Sequence, residues 1–214
     1  MVEKKPNFIV IGAMKAATTS LYTYLKQHPE IFMTKVKEPM FFNNFKQENK
    51  YKISGKKIKK PTTLKAYLAM FDDVKNEKAI GEASPAYIYN PQAPQLIKEH
   101  LSNVKIIAIL RQPTDRAYSN YLHTKRADRE GAATFQEAIE LENKRIKDNW
   151  SPLYHYIEKG YYSVQLKRYF DLFSEKNIKI YLFEDVVKNT KETLKDIFKF
   201  LEVDENVEID TSKK

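Results

Sequence analysis

The 214-residue chain is 42% hydrophobic and 30% charged, which is enough apolar content for a packed core and too much for a disordered chain. No run approaches the ~18 consecutive apolar residues of a membrane span, and the opening MVEKKPNFIVIG enters a strand too early for a signal peptide. Zero cysteines exclude disulfides and thiolate metal sites and fit a cytoplasmic location, while a net charge of +9 favours anionic ligands, with the lysines so interleaved with acids that nucleic acid is not the expected partner.

Short apolar runs alternate with helical patterns, which predicts an α/β fold with a central parallel sheet flanked by helices. FIVI (8–11) reads as a buried strand, and residues 18–27 as a helix with Leu21, Tyr24 and Leu25 on one face, ended by His28-Pro29. Residues 30–33 read as a second strand, 62–71 as a helix behind Pro61, 79–83 as a strand and 91–100 as a helix. VKIIAIL (104–110) is the clearest strand, and a helix starts at Pro113. Helical periodicity returns over 134–147 and 164–173; IKIYLF (178–183) is a strand and 190–201 the last helix. Residues 46–60 hold seven lysines, which reads as a solvated loop or, alternatively, a basic rim for an anionic acceptor.

The first strand runs into GAMKAATTS, a turn where backbone N–H groups and a helix dipole face whatever lies above the strand's C-terminal edge. Ala16 and Ala17 let the backbone approach a ligand, Thr18, Thr19 and Ser20 offer hydroxyls, and Lys15 supplies a point charge. An ordinary turn capped by threonine is the plainer alternative. A Walker A loop would place its lysine after the last glycine, whereas Lys15 precedes the hydroxyls. No apolar strand ends in an aspartate that could hold magnesium, so an anion cradled by cations and N–H groups is expected, with no metal.

Arg111 follows the 104–110 strand at the same sheet edge, and Ser119 lies about two turns into the next helix, a pair suited to clamping a phosphate. Arg116 could instead pair with Asp115 or a neighbouring helix. Between the two anion sites, KVKEPMFFNN sets Glu38 beside apolar rings, which raise a carboxyl pKa towards that of a useful base, and beside Lys37, which opposes this. A surface salt bridge is the alternative there. His28, His100, His123 and His155 are too scattered for a metal site, and helix-end or surface roles are expected, with His123 facing the cleft as the variant. Trp150 and the tyrosines of YHYIEKGYY (154–162) read as core or interface aromatics, or as stacking surfaces for a sugar or adenine. Gly160 with Tyr161 or Tyr162 could approach a nucleotide.

Taken together, GAMKAATTSLYTYL, KEPMFFNN, GEASPAYIYNPQAPQLI, LRQPTDRAYSNYLH and GYYSVQLKRYF…IYLFEDV resemble, in this order, the sulfotransferases that use 3′-phosphoadenosine 5′-phosphosulfate (PAPS). The similarity is greatest to the bacterial and heparan-sulfate-type branch of N- and O-sulfotransferases, and covers roughly residues 7–201. The resemblance implies a P-loop-like single domain and a metal-free transfer of a sulfuryl group to a hydroxyl or amine acceptor, a small molecule or carbohydrate. It implies that Lys15, Ala16, Ala17, Thr18, Thr19 and Ser20 hold the 5′-phosphosulfate, Arg111 and Ser119 the 3′-phosphate, and that Glu38 is the catalytic base, with Lys15 also catalytic. Several glycosaminoglycan enzymes carry a lysine where this chain has Ala83, so that cation is not implied here. Relatives also continue into a basic loop over the nucleotide, whereas EVDENVEIDTSKK is all that follows the last helix, so the expectation is one domain over 1–214 with that cover short or absent. Two rivals stay open: a P-loop kinase or phosphotransferase, and a non-catalytic binder of adenosine bisphosphate.

Overall fold

Five of the apolar runs assemble into one all-parallel sheet: β1 (Phe8–Gly12), β2 (Ile31–Met33), β3 (Ala79–Ala83), β4 (Lys105–Leu110) and β5 (Ile178–Leu182), in the order β2-β3-β1-β4-β5. The structure is a computed structural model and describes residues 4–45, 60–101 and 103–212. Every residue of β1, β2 and β3 is buried, as parallel strands covered on both faces require, and their unbroken apolar runs follow from that. β5 is an edge, and Ile180 and Leu182 on it stay partly exposed.

The helices are α1 (Thr18–Leu25), α2 (Phe41–Asn44), α3 (Leu64–Leu68), α4 (Ala93–His100), α5 (Pro113–Arg126), α6 (Phe135–Glu140), α7 (Glu142–Lys147), α8 (Tyr162–Phe170), α9 (Phe183–Lys188) and α10 (Thr190–Leu201). In α10 the buried residues Leu194, Ile197, Phe198 and Leu201 fall on one stripe, and each contributes roughly 1.5–3 kcal/mol by burial. A smaller core of Ala117, Tyr121, Ala132, Ala138 and Tyr156 lies between α5 and α6. Among the described residues no helix is long and apolar enough to cross a membrane.

Two features of this frame position the site. The chain passes from β1 outward to β2 and back to β3, then crosses to β4 on the other side of β1. That reversal opens a crevice at the C-terminal ends of β1 and β4, the usual ligand position in such sheets. Gly12, at the tip of β1, allows a close approach: a Cβ there would lie 2.5 Å from Ile88 Cγ2.

The structure alters several expected elements. The 134–147 helix is broken at Leu141 into α6 and α7. Phe183 leaves the last strand and opens α9, a helix the periodicity did not announce. The expected 62–71 helix is α3 followed by a 3-10 turn over Ala69–Phe71, and the 164–173 helix is shifted to α8. Of the lysine-rich loop, residues 46–59 lie outside the described residues.

Candidate active site

The turn after β1 folds over the strand end because Lys15 and Ala17 adopt left-handed backbone, with φ of 69° and 57°. Ala17 is the N-cap of α1 and no side chain caps the helix, so the expected alternative of a threonine-capped turn is not what forms. α5 provides the contrast, since Gln112 Oε1 accepts from Asp115 N at 2.8 Å and closes its first turn. The amides at the start of α1 therefore lack a side-chain acceptor, and Thr18, Thr19 and Ser20 line the same opening.

That opening is a cavity of about 590 Å³, a size typical of small-ligand sites. Lys15 and Ala17 line one part of it and Arg111 and Ser119 another. The two halves touch directly: Arg111 Nη1 donates to Lys15 O at 3.2 Å, although 96 residues separate them. Arg111 is further fixed by Phe183, whose ring centre lies 4.5 Å from the guanidinium carbon. Tyr162 Oη donates to Arg111 O at 3.0 Å, and Arg111 Nε is buried without a partner among the described residues. A buried, unpaired guanidinium N–H at a cavity wall is a donor held ready for an anion.

Among the described residues, Glu38 is the only carboxylate lining this cavity. Its backbone is left-handed, at φ 58°, and its N–H donates to Ala83 O at 3.1 Å. Its carboxylate pairs with Lys37, and Lys60 Nζ donates to its backbone carbonyl. His123, one turn beyond Ser119 on α5, also lines the cavity.

Cations dominate the local electrostatics. The Lys15 pKa is lowered, first by burial and then by Arg126 and Arg111, with Glu38 opposing. The His123 pKa is lowered in the same way, by burial and then by Lys15, Arg129 and Arg126, which favours its neutral imidazole. Among the described residues no group of three or more His, Asp or Glu is arranged to hold a metal.

All the residues singled out in the sequence as donor-binding or catalytic line this one cavity except Ala16. Ala16 is fully buried and its N–H is taken by Ala13 O at 3.2 Å, so it shapes the turn from below. Arg116 is buried, its Nη2 donates to Tyr156 O, and Glu142 on α7 and Tyr162 on α8 are its electrostatic partners. His28 and His155 are buried and not surface residues. Glu30 N donates to His28 Nδ1, leaving Nε2–H to donate to Asp204 O at 2.9 Å. Gly160 packs against Pro113 and does not line the cavity. Tyr154 and Tyr156 are core residues, and Trp150 lies over the Arg145 guanidinium.

Sequence reasoning missed Tyr24, Phe183, Val186, Val187, Thr190 and Thr211, which build another side of the cavity. Thr211 belongs to the segment after α10. That segment returns to α1, where Tyr24 Oη donates to Thr211 O at 3.1 Å and Gln27 bonds the backbone of Asp210 in both directions. The FEDV stretch carried a local signal, two acidic residues, Glu184 and Asp185, that suit the first turn of a helix.

Residues 5–213 match a family model described as the sulfotransferase domain. A solved sulfotransferase from Alicyclobacillus acidocaldarius superposes with a TM-score of 0.91 and 35% identity, over 98% of this chain and 86% of that one. The mouse bifunctional heparan sulfate N-deacetylase/N-sulfotransferase 4 is 29% identical over 203 residues, 92% of this chain and 22% of its own length. The membrane-associated sulfotransferase kil1 of Dictyostelium discoideum is 40% identical over 116 residues, 54% of this chain and 22% of its own. This chain thus spans about a fifth of the length of these two curated relatives.

Proposed function

The chain belongs to the sulfotransferase-domain family, and on that premise we propose that it is an enzyme transferring the sulfuryl group of PAPS to a hydroxyl or amine of a small molecule or carbohydrate. The observation that carries this reading is the meeting of two cationic anchors, Lys15 with the uncapped α1 start and Arg111 with Ser119, in one cavity that Glu38 also lines. Two anchors suit a ligand charged at both ends, and the unpaired Arg111 Nε suits a phosphate. Residues 1–214 would act as one sulfotransferase domain.

PAPS supplies an activated sulfuryl group on a phosphate leaving group. Lys15 and the first amides of α1 stabilise the negative charge that grows on the leaving oxygen, from fixed positions that need no reorganisation. Arg111 and Ser119 hold the far phosphate, with the Phe183 ring packed over the guanidinium. Glu38 accepts the proton of the attacking hydroxyl or amine. Lys37 pairs with the Glu38 carboxylate at the cavity. The carbohydrate preference is supported by the carbohydrate and heparan sulfate enzymes among the relatives.

Transfer of ³⁵S from labelled PAPS, in the presence of EDTA, to a panel of sugars, glycolipids and phenols tests this directly. Adenosine 3′,5′-bisphosphate at a hundred times its Kd stabilises by about 2.7 kcal/mol, and ATP with magnesium by far less. A folded protein that gives no calorimetric heat with PAPS or the bisphosphate refutes the reading.

A further inference from the structure

The segment carrying Glu38 is held by few regular bonds. Glu38 and Met40 are both left-handed, at φ 58° and 54°, a backbone that non-glycine residues keep only when their surroundings impose it. Three contacts impose it here: Glu38 N donates to Ala83 O at 3.1 Å, Met40 N to Ser84 Oγ at 3.0 Å and Phe42 N to Tyr87 Oη at 3.4 Å. All three acceptors belong to the end of β3 or the turn after it.

The middle contact depends on a further group. A serine hydroxyl has one proton, and Ser84 donates it to Glu82 Oε2 at 2.7 Å. Its lone pairs are thereby turned to the Met40 N–H. Tyr67 Oη holds the other carboxyl oxygen, Glu82 Oε1, at 3.3 Å. Glu82, Ser84, Tyr67 and Tyr87 are all fully buried. The remaining residues of β3 are Ala79, Ile80, Gly81 and Ala83, and an apolar side chain at 82 would serve the packing of such a strand at lower cost. A carboxyl retained there needs a purpose other than packing.

We infer that Glu82 is a positioning residue for Glu38: by taking the Ser84 proton it fixes the Ser84 oxygen as the acceptor for Met40 N–H and so holds the Glu38 carboxylate at the cavity. This inference rests on Glu38 being the base of the proposed reaction. It assigns to Glu82 no contact with donor or acceptor, since Glu82 does not line the cavity.

The experiment compares wild type with Glu82→Met, Ser84→Ala and Glu82→Gln, reading amide hydrogen exchange at Met40, kcat, and the Kd for adenosine 3′,5′-bisphosphate. Glu82→Met removes the acceptor at similar volume, whereas the side-chain amide oxygen introduced by Glu82→Gln still accepts from Ser84. Loss of the relay in Glu82→Met and Ser84→Ala is expected to speed Met40 exchange at least about tenfold. The same variants should lower kcat roughly 10- to 100-fold, with Kd within about twofold of wild type. Glu82→Gln should restore both exchange and kcat. Wild-type exchange at Met40 in Glu82→Met, or a fall in kcat matched by an equal loss of nucleotide affinity, overturns the positioning role. If wild type transfers no label at all, the function reading fails separately, and Met40 exchange still decides whether Glu82 orders the segment.

Discussion

Lys15 stands on a left-handed turn between a buried strand and an uncapped helix, partly withdrawn from water and beside two arginines. Its ammonium is not needed by the core, so Lys15→Ala should leave the fold intact while lowering kcat about 10²- to 10³-fold, the usual cost of losing one charge-stabilising donor. Glu38→Gln should lower kcat by about 10²- to 10⁴-fold with nucleotide affinity unchanged. Steady-state kinetics beside a thermal melt check both, and near-normal turnover in folded Glu38→Gln would remove Glu38 from the base role. Arg111 carries two duties, bonding Lys15 O and stacking on Phe183. Arg111→Lys keeps the charge but loses the fork and the flat stacking face, so it should weaken adenosine 3′,5′-bisphosphate roughly 10-fold or more by calorimetry. Lys15, the hydroxyls of 18–20 and Arg111 were legible in the sequence because each sits within a few residues of a strand end. Phe183, Tyr24 and Thr211 were not, because their place at the cavity depends on contacts between distant segments.

At the scale of elements, period and caps placed most strands and helices, and tertiary demands moved the rest. The break at Leu141 frees Glu142 to accept from the amides of Tyr156, Ile157 and Glu158 at 2.8–2.9 Å, ordering the segment that leads into the 3-10 turn Glu158–Gly160. No local propensity records that need, which is why 134–147 reads as one helix. The start of α6 is local by contrast: Thr134 Oγ1 accepts from Glu137 N at 3.1 Å, and Glu137 Oε2 accepts from Ala133 N at 2.7 Å. Thr134→Ala should therefore cost about 1 kcal/mol of stability, read as a lower urea midpoint at unchanged slope. Phe183 stands outside β5 and opens α9, and there its ring centre lies 4.5 Å from the Arg111 guanidinium carbon, a contact between segments that no local propensity records.

For the whole molecule, the buried Glu82 links the site to the pH dependence of the fold. Burial pushes its carboxyl up from 4.5 to about 7, against bonds from Ser84, Tyr87 and Tyr67 that lower it, with Glu38 adding to the rise. Between those two values the folded chain holds a proton that the unfolded chain has released. The stabilisation is therefore full below the lower value and is lost as pH rises through about 7. Glu82→Gln cannot ionise, so its stability relative to wild type should rise by roughly 1–3 kcal/mol between pH 5 and pH 8. Denaturant titrations at the two pH values check this, and a pH-independent difference would count against a proton on Glu82. By itself the sequence determined the α/β class, the run of parallel strands and the chemistry of the turns that follow them, because hydrophobic period, proline and glycine placement and side-chain type act over a few residues. Only the tertiary structure decided that β4 lies beside β1, that Arg111 reaches the carbonyl of Lys15, and that Glu38, Phe183 and the segment at Thr211 share one cavity. Strand order is set by which faces bury best against each other across the whole chain, and no window of neighbouring residues contains that comparison.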